Sequence, residues 1–203
     1  MNDINNLYKY SIAQGFLREK AIQFHLRRYI EVGFSKKDEL DPYVQNAIYF
    51  IAQPENSLEV VGTTRLIFKP LEELPTMKNF KIDLSEMTKL HQLSPGQYAE
   101  ISALTKMPQY DVMLGLIRIV LHYSIANKIT HLICCIDERV YNYLHRISHF
   151  PFKVVGQSQA YLGSVCVPCA LELAECMAIL EVKKNSIYQY LMSNTDENSE
   201  VIQ

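Results

Sequence analysis

The first residues of this chain to raise a chemical question are charged side chains set in apolar, strand-like runs. Glu100 lies inside YAEISALT (98–105). Alternation puts Tyr98, Glu100, Ser102 and Leu104 on one face and Ala99, Ile101, Ala103 and Thr105 on the other. That pattern aims Glu100 at a core or a cleft, where an unpaired carboxylate costs several kcal/mol and so needs a partner, a proton or a role. Arg65, in SLEVVGTTRLIF (57–68), shares a strand face with Thr63, and across a sheet it can hold Glu100 or Asp41 by charge-assisted hydrogen bonds. Asp38 and Asp41 bracket the loop segment DELD.

Other reactive types carry weaker patterns. Cys166 and Cys169 form C-x-x-C, and His145 and His149 share a helical spacing, but their order matches no common zinc finger, so no metal is expected. CVPC neither opens a helix nor follows a strand and turn, which argues against a redox motif. His25, His91, His122 and His131 read as structural or exposed positions.

The elements that must position these residues follow from periodicity. Ile12, Phe16, Ile22, Phe24, Leu26 and Ile30 predict a helix from Ser11 to about Val32, with Gly33 at its stop. NAIYFIAQ (46–53) and SLEVVGTTRLIF (57–68) predict an antiparallel hairpin. Lys69 to Gln97, with Pro70, Pro75 and Pro95, predicts a long functional loop or a lid of short helices. The strand with Glu100 follows. A helix capped by Asp111 then runs from about Val112 to Asn127, ahead of a buried strand at 130–137. Next come a helix over 138–147, a strand at FKVVG, and a last strand over 164–173 interrupted by Pro168. The polar end from about Asn194 predicts disorder. Domain organisation is expected as one domain over 1–183, with a C-terminal helix and tail over 184–203.

With 203 residues and 48% hydrophobic content the chain can bury one sizeable core. A net charge of -2 argues against a general nucleic-acid binder. No apolar run is long enough to span a bilayer, and MNDINNLYKY lacks the order of a signal peptide, so a cytoplasmic location is expected. Five cysteines, with Cys134 and Cys135 adjacent in an apolar run, suit reduced core thiols.

DELD (38–41), VVGTTRLI (60–67), NF (79–80) and EIS (100–102) have the order and approximate spacing of the acyl-homoserine-lactone synthase signature. LGLIRIVLHYSIANKITHLICCIDERVYNYLHRISHFPFKVVG (114–156) brings the chain closer to a sister group, and over roughly residues 15–175 it resembles the long-chain N-acyl amino acid synthases. The resemblance implies an α/β, GNAT-like acyltransferase fold, a mixed central sheet flanked by helices. It further implies transfer of a fatty acyl group from acyl carrier protein to the amine of an amino acid or related acceptor, without a cofactor. By the same resemblance Glu100, Arg65 and Asp41 form the catalytic set, and Asp38, Phe34, Phe80, Ser102, Thr105 and Arg28 bind substrates.

A carboxylate beside an amine can take its proton as it attacks a thioester, and backbone N–H groups where strands splay can hold the oxyanion. Two positions depart from the family pattern: Ala103 stands where an arginine follows Glu-x-Ser, and Arg27 and Arg28 both fit the first-helix arginine. The basic first helix is read as a dock for an acidic carrier protein. MPQYDVMLG offers only Gly115 to a coenzyme A pyrophosphate, which favours a carrier-bound donor over acyl coenzyme A. Phe80 and Leu84 of the long connection are expected to line the acyl tunnel. Two rival readings stand beside this one. An autoinducer synthase would bind S-adenosylmethionine, against which the lack of any Trp and the presence of Phe34 in place of one both count. A non-catalytic protein binding acyl groups or acyl carrier protein is the other.

Overall fold

A computed structural model describes residues 7–34, 36 and 40–193. Its centre is an eight-stranded mixed sheet. The strands are β1 (Tyr8–Ile12), β2 (Ala47–Pro54), β3 (Gly62–Ile67), β4 (Tyr98–Lys106), β5 (His131–Asp137), β6 (Lys153–Val154), β7 (Gln159–Tyr161) and β8 (Ser164–Glu172). Their order is β1-β2-β3-β4-β5-β8-β6, with β7 also on β8. Every pairing is antiparallel except β4 with β5.

The helices are α1 (Gly15–Glu31), α2 (Pro75–Asn79), α3 (Leu84–Leu90), α4 (Met113–Ala126), α5 (Glu138–Asn142), α6 (Leu173–Lys183) and α7 (Asn185–Met192). Strand alternation sorts the core onto two faces. Tyr49, Ile51 and Ile67 pack with Ala21 and Phe24 of α1, whereas Phe50, Ala52 and Leu66 pack with Leu116 and Val120 of α4. This is the mixed sheet flanked by helices that the sequence implied.

Several local expectations are corrected. The N-terminal helix starts at Gly15 rather than Ser11, because Tyr8–Ile12 forms an edge strand in which Ser11 stands opposite Ile51. Asp111 does not cap α4; Val112 occupies that position and no side chain bonds to the cap. Pro168 does not interrupt β8, which is continuous from Ser164 to Glu172. Its carbonyl faces the β6 side, where it accepts from the Val155 amide at 3.0 Å. The missing proline N–H therefore falls just where the short β6 ladder ends at Val154 opposite Cys169. A helix follows β8 directly, and α7 docks on α4 through His122, whose Nε2 lies 2.7 Å from the Leu191 carbonyl. The expected tail from Asn194 lies outside the described residues.

Candidate active site

The site begins at an irregularity in β4. Arg65 stands opposite Ser102 but Thr63 stands opposite Thr105, so Thr64 faces two residues, Ala103 and Leu104. This is a β-bulge, and Ala103 takes the positive φ of 54° that such a bulge can demand. The extra residue moves Thr105 onto the face of Ser102, against simple alternation.

On its other side β4 pairs with β5 only from Tyr98↔His131 to Glu100↔Ile133. Beyond Glu100 the two strands splay. Backbone groups of β4 that point toward the gap there have no strand to meet, which is the setting an oxyanion site needs.

A cavity of about 370 Å3 occupies this gap. It runs through the sheet. On the α1 face its wall carries His25, Tyr29, Asp41, Arg65, Glu100 and Ser102; on the α4 face it carries Ile101, Leu104, Ile117, Val120, Leu132, Leu144, Phe150 and Leu171. One end is thus polar and acidic, and the other is an apolar sleeve.

Glu100 is fully buried. Both its oxygens accept from the Thr76 amide, at 2.9 and 3.2 Å, and Oε1 also accepts from the Thr76 hydroxyl at 2.9 Å. Thr76 follows Pro75, the first residue of α2, so its amide is one of the donors a helix start leaves free. Burial pushes the Glu100 carboxyl up to about 8, against the opposing pull of the Thr76 bonds and of Arg65. A carboxyl with that affinity for protons is mostly protonated at neutral pH and ionises through about pH 8.

Of the two partners open to it, Arg65 takes Asp41. Its Nη1 pairs with Asp41 Oδ2 and donates to the Tyr49 hydroxyl at 3.0 Å, and its Nε donates to Ser102 Oγ at 2.9 Å. The Asp41 Oδ1 in turn accepts from the Tyr43 amide at 2.9 Å. His25, read from sequence as structural or exposed, lines the cavity at 1% exposure, with Nδ1 3.8 Å from Asp41 Oδ2. Burial and the neighbouring guanidinium lower it to about 4, so it is neutral.

The remaining expected site residues divide. Phe34 and Ser102 line the cavity, the Phe34 ring standing edge-on to Tyr29 with centroids 5.6 Å apart. Thr105, Phe80 and Arg28 do not line it. Phe80 is buried against Tyr161, whose ring does reach the cavity, and Leu84 is 86% exposed, so the tunnel wall comes from β4, β5 and α4 rather than from the long connection. That connection contributes Pro75. Arg28 pairs with Glu31 on its own helix. Lys106, the nearest cation after Ala103, donates to the Pro108 carbonyl at 3.2 Å. Asp38 lies outside the described residues.

Cys134, Cys135 and Cys166 also line the cavity, and burial raises all three thiols above their ordinary range. Since the thiolate is the nucleophile, these side chains favour direct attack by an acceptor over an acyl-cysteine intermediate. Gly115 is not a phosphate cradle: a Cβ there would overlap the Tyr10 ring, so the glycine lets α4 approach β1. Among the described residues no group of three or more metal-ligating side chains is placed to hold an ion.

The comparisons agree with this architecture. The sequence profile of the N-acyl amino acid synthase FeeM family matches residues 20–173. No curated protein matches the sequence. The structure of FeeM, an N-acyl amino acid synthase from uncultured soil microbes, is similar with a TM-score of 0.66 and 16% identity, covering 85% of this chain and 94% of that one. The acyl-homoserine-lactone synthase LasI follows with a TM-score of 0.59 and 19% identity, covering 82% and 89%. The coenzyme A-dependent synthase BjaI, bound to S-adenosylmethionine and isopentyl-CoA, has a TM-score of 0.59 and 16% identity, with 89% of each chain covered. With three quarters of its length matched by the family profile, the chain belongs to the FeeM family of N-acyl amino acid synthases and is an acyltransferase.

Proposed function

We propose that the protein transfers a fatty acyl group from acyl carrier protein to the amino group of an amino acid or related amine, with no cofactor. The observation that carries this reading is the cavity passing through the sheet, with the buried Glu100 carboxyl at its polar end and an apolar sleeve at the other. A thioester carbonyl in the gap between β4 and β5 sits between the two ends. The acyl chain then occupies the α4 side, and the amine approaches from the α1 side.

The neutral amine attacks the carbonyl carbon, and Glu100 takes one N–H proton, directly or through a water. The oxyanion is held where β4 and β5 splay. The C–S bond breaks as the C–N bond is completed, and the proton passes to the sulfur. The products are an amide and a free thiol. Arg65 and Asp41 hold the wall of the acceptor end rather than the base.

A carrier-bound donor is supported by Gly115, which the packing against Tyr10 removes from any phosphate loop. No helix among the described residues is long and apolar enough to cross a membrane. The test is incubation with acyl-acyl carrier protein or acyl-CoA of several lengths and a mixture of amino acids and amines, followed by mass spectrometry. N-acyl products formed faster from the carrier-bound donor are expected. A lactone made only with S-adenosylmethionine would establish the autoinducer reading instead, and equal rates from both donors would remove the carrier-specific part.

A further inference from the structure

Glu100 lines the cavity with a carboxyl whose two oxygens are unequally occupied. Oε1 accepts from the Thr76 hydroxyl at 2.9 Å and from the Thr76 amide at 3.2 Å, whereas Oε2 accepts from that amide alone among the described residues, at 2.9 Å. A carboxylate oxygen offers two lone-pair directions, so Oε1 is filled and Oε2 keeps one.

The hydroxyl is itself held in direction. Thr76 is fully buried, and a hydrogen bond to its side chain draws the Cys135 thiol of β5 downward against the effect of burial. Since the hydroxyl proton goes to Oε1, the proton in that second bond comes from the thiol. The chain from Cys135 through Thr76 to Glu100 therefore runs one way, and bonds in such a chain strengthen one another. A proton placed on Oε1 would reverse both bonds, whereas a proton placed on Oε2 disturbs neither.

We propose, resting on the base role given to Glu100 above, that Thr76 is a positioning residue for the reaction: its hydroxyl holds Oε1 and leaves Oε2 as the oxygen that takes the amine's proton. The N–H bond breaks and an O–H bond forms at Oε2, before the proton passes to the sulfur. The same hydroxyl favours the ionised form of Glu100, which burial disfavours. The other groups facing the carboxyl are Arg65 from β3, Tyr43 from the segment before β2, Cys134 and Cys135 from β5 and Tyr161 from β7. A substitution at Thr76 keeps all of them.

Thr76→Val keeps the backbone amide and the side-chain shape and removes only the hydroxyl, and Thr76→Ser restores the hydroxyl without the methyl. On the full chain, the Glu100 titration is followed by its carboxyl infrared band, with Glu100→Gln as the blank. The pH profile of kcat/KM is measured beside it, with the best donor and acceptor from the assay above. In Thr76→Val the infrared midpoint and the rising limb of the rate profile should move up together by about one pH unit, and Thr76→Ser should bring both back. An unmoved infrared midpoint in Thr76→Val, or a shift that Thr76→Ser does not reverse, overturns the proposal. A moved midpoint beside a rate profile that stays in place, or beside a wild type that transfers no acyl group, supports the hold of Thr76 on Glu100 while defeating the base role, so the two failures are distinct.

Discussion

Thr76 holds Glu100 through its backbone amide and its hydroxyl, at 2.9 to 3.2 Å, while the guanidinium of Arg65 pairs with Asp41. The Glu100 carboxyl and the ion pair are therefore two separate devices on one wall. Glu100 is positioned by neutral donors rather than by a directly paired cation, and burial raises its proton affinity to about 8 against the weaker pull of the Thr76 bonds and of Arg65. Pairing with Arg65 would have had the opposite effect.

That separation decides what Glu100→Gln should do. Glutamine keeps an oxygen for the Thr76 donors and strands no guanidinium, so melting near pH 7 should not fall by the amount a broken buried pair would cost. Removing the base should lower turnover by about 10²- to 10⁴-fold. Rate measurements beside thermal melts check this; wild-type turnover in the variant would take Glu100 out of the chemistry.

The pH dependence has a definite sign. Glu100 titrates near 8 in the folded chain against 4.5 as an ordinary glutamate, so the native state binds the extra proton between those values. Its contribution to stability is fully present below pH 4.5 and is lost as pH rises through 8. His25, lowered to about 4 from 6.5, contributes above pH 6.5 and loses that contribution as pH falls through 4. Activity should rise through about pH 8 as Glu100 ionises, while stability declines over the same range. Melting curves from pH 4 to 9 should show this decline in the wild type and less of it in Glu100→Gln. A rate profile that is flat from pH 6.5 to 9 would contradict the assignment.

Asp41 and Arg65 make the contrasting case. Asp41→Ala leaves a buried guanidinium without its counter-charge, at a cost of about 3–5 kcal/mol. For a chain of this size that is a fall of roughly 6–20 °C in melting temperature. The double variant Asp41→Ala with Arg65→Met should recover part of the loss without recovering acceptor binding. If the double variant is no more stable than Asp41→Ala, the pair is not the strut described here.

What the sequence revealed, and what it hid, follows from how local each signal was. The β2–β3 hairpin, α4 and β5 were legible because each keeps one period over many residues. The edge strand β1 was not, because YKYSI runs straight into a helical pattern and is fixed only by its register with β2. Alternation in β4 held as far as Ser102 and failed at Ala103, since a bulge depends on the pairing with β3. Glu100 was legible as a buried acid, but its partner Thr76 stands 24 residues earlier in another element. The Pro75-Thr76 helix start was the one local hint of a free amide. His25 packs edge-on against Tyr29 of its own helix, but Asp41 and Tyr49, which also face it, come from distant segments, so sequence did not mark it as a cavity residue.

The apolar sleeve sets the last prediction, because it converts volume into donor preference. Val120 is fully buried on α4 and lines the cavity with Leu132 and Leu171. Val120→Phe adds a ring at this wall, and the space it takes is space lost to the acyl chain. Overpacking of this kind costs about 1–3 kcal/mol of stability, which a chain of this size can bear. Each methylene denied a place in the sleeve forfeits ~0.8 kcal/mol of burial, about fourfold in kcat/KM. Longer donors should therefore lose the most, and the preferred length should move to shorter chains, with turnover of the shortest donors nearly unchanged. A kcat/KM series over donors of increasing length checks this. The same length profile in wild type and variant would mean that the acyl chain lies elsewhere and that the α4 face of the cavity is only core.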